Sequence, residues 1–290
     1  MDNPIILHFV SLTVFILMFA IGVNHSFEQL ISLWRRPALL LRSLLSVIVV
    51  VPMVVGVLLW VFDLTPAVAT GLAVLAAAPG APLTTKRSQM AGGDSTYSAS
   101  LQLTLALLAV VITPLILAIF YALFDLATER VTPFQVALQV AEVTFLPVII
   151  GLLIHHFAPG TAERIGKPVR VLANVLFILL FVVLIVLLAV APQLRAMLHF
   201  WGLPMAAILI MVVVSLASGH LLGGPSREQR SALAIASIAR NVGLALFIAG
   251  LSDYGQNFIP TVLTYMILGA LLAVPYGVWS KRRMKQEEGR

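Results

Sequence analysis

The sequence predicts an all-α protein that crosses the membrane many times. Composition, a series of long apolar runs, and an uneven placement of basic residues all point to it. Of 290 residues, 60% are apolar and 10% are charged, against about 25% charged in ordinary soluble domains. Mean hydropathy is +1.04. A soluble globule could not cover itself with so few charges, and neither a disordered chain nor a disulfide scaffold has this composition. There is no cysteine, which removes thiolate metal sites, thiol nucleophiles and redox pairs.

A membrane helix needs about 20 mostly apolar residues. Nine segments qualify: 5–23, 38–61, 66–91, 96–124, 133–156, 168–191, 201–222, 228–251 and 256–279. The first follows Met1-Asp2-Asn3, which lacks the basic n-region of a signal peptide, and no small-residue cleavage site follows it. It is therefore read as a first helix. The connectors are short and leave no room for a soluble domain.

Basic residues orient the spans, because short cytoplasmic loops carry an excess of Lys and Arg. With the N-terminus outside, thirteen of the eighteen fall on the cytoplasmic side, among them Arg35, Arg36, Arg164, Lys167 and the run from Lys281. External loops hold only Arg130 and Arg195, together with Asp63, Asp125, Glu129 and Asp253. The formal charge of +6 is thus a topology signal. It predicts the lipid bilayer as partner, no nucleic acid, and a cytoplasmic C-terminus. Trp34, Trp60, Trp201 and Trp279 sit near span ends, as an aromatic belt requires.

Two spans are interrupted. The third carries Pro79-Gly80-Ala81-Pro82 and then Thr84-Thr85-Lys86-Arg87; the eighth carries Ser237-Ile-Ala-Arg240-Asn241-Val-Gly243. Pro and Gly free backbone groups in mid-membrane, which is tolerated only where protein or a wet cavity satisfies them. Paired interruptions in two halves are the best sequence pointer to a transporter site. The halves correspond: each broken span follows two unbroken ones and precedes one long one. The second half has an additional leading span, 133–156. An odd number of intervening spans inverts the second copy, so an inverted repeat is expected, with the site where the two breaks cross.

The residues in these motifs resemble the bile acid:sodium symporter family over nearly the whole chain. Gly22-Val-Asn-His-Ser-Phe27 through Arg35-Arg36-Pro37 is similar to that family's first cytoplasmic connector. Pro79-Gly80 followed by Gly93-Asp94 and Ser98 is similar to its first crossing helix and the helix after it. Asn241-Val-Gly243-Leu-Ala is similar to its second crossing helix. The resemblance implies a core domain bearing crossed helices that moves against a panel domain, and organic anions as substrates, bile-acid-like or small carboxylates. It assigns 1–37 to a panel helix and connector, 38–124 and 201–280 to the two core halves, 133–195 to panel helices, and 281–290 to a basic cytoplasmic tail. It also implies a bacterial inner-membrane location. This chain resembles a nine-span version of a family in which many bacterial members have ten.

The departures from that family concern sodium. It coordinates two sodium ions near the crossing, with motifs of the form Pro-Gly-Gly-Thr-x-Ser-Asn and Glu-x-Gly-x-Gln-Asn. Here Ala81 and Pro82 replace Gly-Thr, and Thr84 and Thr85 end the first motif. Ala236 stands for the acid and Arg240 for the glutamine of the second, and Gln102 follows Ser98 where a threonine is usual. Hard cations want oxygen ligands, preferably with a carboxylate. Losing the carboxylate and gaining a cation predicts degraded sodium sites and no bound metal or cofactor.

A charge at the bilayer centre costs about 2.5–3.5 kcal/mol on insertion scales and usually marks function. Lys86 and Arg240 are therefore expected to replace the sodium charges, hold the crossing together and attract an anion; the bland alternative has them paired with carbonyls or reaching an interface. Thr84, Thr85, Ser98, Gln102, Ser237 and Asn241 are the expected polar lining, with Pro79, Gly80 and Pro82 making the break. Glu142, the one acid well inside a span, is a possible proton site or a structural hydrogen bonder. Asp94 is expected to cap the following helix.

These features predict a secondary transporter of organic anions, sodium-independent, working by alternating access. Sodium or proton coupling, and a non-transporting membrane sensor, remain open alternatives. An intramembrane enzyme is disfavoured: the clustered Asp of prenyl transfer, a His-Glu-x-x-His and a Gly-x-Ser-x-Gly are all absent.

Overall fold

The structure is a computed structural model and describes residues 4–126, 133–190, 202–251 and 255–288; no strand occurs among them. The chain runs α1 (Pro4–Val23), α2 (Phe27–Trp34), α3 (Pro37–Val61), α4 (Pro66–Ala77), α5 (Thr84–Met90), α6 (Ser95–Phe124) and α7 (Phe134–Phe157). It continues as α8 (Pro159–Val190), α9 (Leu203–Leu222), α10 (Arg227–Ile238), α11 (Val242–Gly250) and α12 (Gly255–Glu288). Helices α3 and α7 each contain a π-helical turn, Leu45–Val50 and Ala141–Phe145.

Among the described residues, seven helical segments are long and apolar enough to cross a bilayer, counting α10 with α11 as one; α1 with α2, bent by 81° at the junction, makes up to eight. The third predicted segment divides into α4, of 12 residues, and α5, of 7. Helices thus occupy every predicted segment, though a length-and-apolarity criterion alone does not reach nine. Two boundaries differ from expectation. Helix α8 starts at Pro159, before the expected 168, and α12 continues through most of the basic tail to Glu288. Hydropathy cannot see these extensions, because they are charged helix outside the apolar layer. Arg130, Arg195, Glu129, Asp253 and Trp201, expected in external loops or at a span end, lie outside the described residues.

Local chemistry starts the helices where they start. Ser26 and Gln29 form a reciprocal capping box on α2: the Ser26 amide donates to Gln29 Oε1 at 3.1 Å and the Gln29 amide donates to Ser26 Oγ at 3.2 Å. Asp94 caps α6 by accepting from the Tyr97 amide at 3.0 Å, and Ser226 caps α10 by accepting from Gln229 at 3.2 Å. Each cap satisfies amides that a helix N-terminus leaves unpaired.

Burial sorts the helices. The most apolar stretch of α10–α11 is wholly buried in protein, whereas only 17% of the corresponding stretch of α8 is. Helix α9 packs along α10, and α4 against α12, α3 and α6; α1 packs along α7 and α8. Large apolar side chains such as Leu41, Trp60, Val111, Ile178 and Leu271 face outward, as lipid contact permits.

The α1–α7 contact is made backbone to backbone. A Cβ on Gly22 would lie 2.2 Å from the Val148 carbonyl oxygen, and one on Gly151 would lie 2.5 Å from the Val23 nitrogen. Small residues permit this approach, and packing rather than hydrophobicity drives helix association in lipid. Gly22→Val is expected to destabilise the protein by about 3 kcal/mol, the upper end for overpacking, since backbone cannot yield as a side chain can. A thermal melt in detergent checks this; an unchanged midpoint would mean that α1 and α7 separate freely.

Candidate functional site

Helix α4 ends because Pro79 has no amide to continue the ladder and Gly80 turns the chain at φ +78. A Cβ at Gly80 would also sit 3.1 Å from the Ala106 amide nitrogen of α6. Only glycine meets both demands. Leu75 still accepts from the Ala78 amide at 3.2 Å, but the helix offers the carbonyls after it no further amides. Helix α10 breaks after Ile238, and the chain restarts at Asn241, whose Oδ1 accepts from the Leu244 amide at 3.0 Å. The Ile238 carbonyl accepts from the Arg240 amide at 3.0 Å and from the Tyr265 hydroxyl of α12 at 2.9 Å.

The two breaks meet. The Asn241 amide donates to the Ala78 carbonyl at 2.9 Å. Arg240 is 3% exposed, and its guanidinium spans the junction. Nε donates to the Leu75 carbonyl at 2.9 Å, Nη2 donates to the Ala76 carbonyl, and Nη1 donates to the Val47 carbonyl in the π-helical turn of α3 at 3.1 Å. A full positive charge therefore sits at the C-terminal, partially negative end of α4. Three carbonyl oxygens converging on one charge is the donor set a hard cation takes. Burying an arginine costs several kcal/mol, and hydrogen bonds to a charged group return about 1.5–3 kcal/mol each. Beside it runs a hydroxyl chain: Ser237 to Ser46 at 2.8 Å and Ser46 to Ser218 at 3.1 Å.

The other sequence-predicted polar residues tie down the first break. Gln102 of α6 accepts from both the amide and the hydroxyl of Thr85, at 2.9 and 2.6 Å, and donates to the Pro82 carbonyl at 2.6 Å. Thr84 donates back to the Ala81 carbonyl at 2.7 Å. Ser98 pairs with Ser88 at 2.6 Å and with the Asp94 carbonyl. The Nδ2 of Asn241 is buried without a partner among the described residues.

Lys86 lies elsewhere. It is exposed, and among the described residues it makes no hydrogen bond or ion pair. It borders a cavity of about 420 Å³ between α1, α5, α6 and α8, lined also by Asn24, His25, Thr85, Gln89, Gln102, Arg170 and Asn174. That volume is within the usual 300–1,000 Å³ of small-molecule pockets. Two basic side chains, Lys86 and Arg170, face it, and among the described residues no carboxylate lines it. Arg170 donates to the Asn24 Oδ1, and Asn24 Nδ2 donates to the Ala20 and Gly166 carbonyls at 2.7 and 3.1 Å, which joins α1 to α8. The cavity lies toward the end of the bundle that carries Arg35, Arg36, Arg164 and Lys167.

The structure therefore separates two cations that the sequence grouped: Arg240 within the crossing, Lys86 in the cavity. Glu142 is exposed on the π-helical turn of α7 and pairs with no charge among the described residues. Asn24, His25, Arg170 and Asn174 were not expected as lining. Asn24 and His25 were visible as polar residues closing an apolar run, but nothing local places Arg170, 146 positions on, beside them.

Comparison with known proteins agrees with this architecture. The family model described as the sodium bile acid symporter family matches residues 11–195. An uncharacterized sodium-dependent transporter, YocS, of Bacillus subtilis (strain 168) is 24% identical over 97% of this chain and 86% of its own. A sodium-dependent organic anion transporter of Bos taurus is 22% identical over 96% of this chain and 75% of its own. The ileal sodium/bile acid cotransporter of Homo sapiens is 24% identical over 57% of this chain and 47% of its own.

Proposed function

The chain belongs to the sodium bile acid symporter family, and on that premise we propose that it is a secondary transporter of organic anions that works by alternating access without bound sodium. The observation that carries the reading is the cavity beside the first break: about 420 Å³, faced by Lys86 and Arg170, with no carboxylate in its lining. An anion entering it gains two cations and the side-chain amides of Gln89 and Asn174, and meets no like charge among the lining residues. Positive-inside placement makes the basic end cytoplasmic, with the N-terminus outside, so this conformer presents its cavity inward. The groups that move are the α1–α7–α8 panel and the core holding the crossing.

Sodium independence is supported by Arg240. Its guanidinium takes the Leu75, Ala76 and Val47 carbonyls, which are the kind of oxygen ligand a sodium ion uses. The named relatives are sodium-dependent; this chain has a tethered cation at its crossing.

Thermal stability of the purified protein tests both halves of the proposal. It is measured in sodium, potassium and choline at equal ionic strength, with and without taurocholate, p-toluenesulfonate, succinate and pyruvate. Binding to the folded state raises stability by about 2.7 kcal/mol at a hundred times Kd. Anion-dependent stabilisation that is equal in all three salts is the expected result. Stabilisation specific to sodium overturns the sodium-independent reading, and no response to any anion removes the cavity as an anion site.

A further inference from the structure

An ion locked into the chain cannot be released, so Arg240 cannot couple transport to a gradient. Arginine stays charged in proteins, and its three contacts are all internal. If the anion is driven at all, a different group must gain and lose charge on each cycle. Glu142 does not serve, being exposed on α7 away from the cavity.

His25 meets the requirements. It lines the cavity with Lys86 and Arg170 and lies in the connector just beyond α1. Its Nδ1 is 2.7 Å from the Ile21 carbonyl oxygen. A carbonyl only accepts, so Nδ1 carries a hydrogen, and Nε2 is the atom that titrates. The same hydrogen bond survives protonation, which lets the ring change charge without turning. The groups facing it are cationic or neutral: Arg170 from α8, His155 from α7, and Lys86 across the cavity from α5. His155 is itself held at 2.9 Å from the Val23 carbonyl. Glu28, three residues on, is exposed at the start of α2.

We propose that His25 is the proton site of this cavity: Nε2 takes one proton from solution when an organic anion binds beside it and returns it when the anion leaves, so that proton and anion move together. The inference rests on the anion-transport reading above and names its coupling ion. The balance is one proton for each anion, so transport of a monovalent anion is electroneutral. Burial first, and then Arg170 and His155, hold the empty imidazole below its usual value, against the opposing effect of the Ile21 carbonyl. The empty site is therefore neutral at physiological pH. A bound anion offsets those cations and raises the value. Since the bound state holds the proton more tightly, anion affinity rises as pH falls between the two values, by up to tenfold per unit, and is flat outside them.

The test uses the full chain in liposomes loaded with a pH-sensitive dye, with inward gradients of taurocholate or p-toluenesulfonate. Both are permanently ionised sulfonates, so neither carries the proton across itself. The expected result is uptake accompanied by acidification of the lumen, insensitive to an imposed membrane potential. His25→Gln should lose the acidification, and the uptake it supports should be potential-sensitive and show a flat pH profile. Uptake by the wild type without acidification overturns proton coupling and leaves the transporter reading standing. Equal acidification by wild type and His25→Gln overturns His25 as the carrier. No uptake of either sulfonate, or of the carboxylates used for thermal stability, removes the transport reading and this inference with it. A His25→Gln protein that does not fold leaves the wild-type acidification and its pH profile as the deciding measurements.

Discussion

Arg240→Gln is expected to lower the melting temperature by roughly 10 °C and to end anion uptake, and sodium is then expected to raise the midpoint of the variant while leaving the wild type unmoved. The wild-type guanidinium offers donors to the Leu75, Ala76 and Val47 carbonyls at once. Glutamine has one NH2 group and cannot reach all three. Breaking a buried charged contact by removing one partner costs about 3–5 kcal/mol, and for a chain of this size each kcal/mol shifts the midpoint by about 2–4 °C. The desolvation relieved by removing the charge works in the other direction, which is why the lower part of that range is expected. Orphaned carbonyls at the negative end of α4 then form a vacant cation position. Sodium at high concentration, or free guanidinium, should recover part of the loss. Wild-type stability and uptake in Arg240→Gln would falsify the role assigned to Arg240. A sodium-sensitive wild type would show that the cation position is not filled by the chain itself.

The contrast between α4–α5 and α10–α11 shows what the sequence makes legible. Pro79, Gly80 and the Ser237–Gly243 stretch identify both breaks, because proline and glycine act locally on the backbone. That the breaks meet follows from the corresponding order of spans in the two halves, and the Asn241 amide on the Ala78 carbonyl is that meeting. The partners of Arg240 are another matter. Leu75, Ala76 and Val47 contribute only backbone oxygen, and an apolar side chain gives no sign that its carbonyl holds a charge. The same limit applies to the cavity. Lys86 was visible as an intramembrane cation, but its separation from Arg240 depends on α5 being a short helix that turns it toward α1 and α8. Arg170 is one of the thirteen basic residues that orient the spans, and a basic residue at a cytoplasmic helix end needs no further explanation. The extended ends of α8 and α12 were missed for a related reason: hydropathy marks where the bilayer ends, not where the helix does.

Lys86→Glu is expected to abolish detectable anion uptake with almost no change in stability. Lys86 is exposed and makes no hydrogen bond or ion pair among the described residues, so the fold has little to lose; surface substitutions of this kind stay within about 0.5 kcal/mol. The cavity has more to lose. At an effective dielectric constant of about 20, a unit charge 4 Å from an anion contributes about 4 kcal/mol, reduced here because the cavity is open to screening by salt. Neutralising the charge in Lys86→Gln should weaken binding by roughly 10- to 100-fold, each tenfold being about 1.4 kcal/mol. Reversing it sets a carboxylate against the substrate and partly cancels Arg170, so its effect exceeds that of the neutral variant. Lys86→Arg should bind and transport nearly as the wild type does. Raising the salt concentration should weaken anion binding by the wild type more than by Lys86→Gln, because only the former has the full charge to screen. A melting temperature that falls with uptake in Lys86→Glu would assign Lys86 to the fold. Full uptake at an unchanged melting temperature would place the anion somewhere other than this cavity. Loss of uptake alone, graded from Arg through Gln to Glu, is the pattern that a charge acting on a bound anion produces and a structural contact does not.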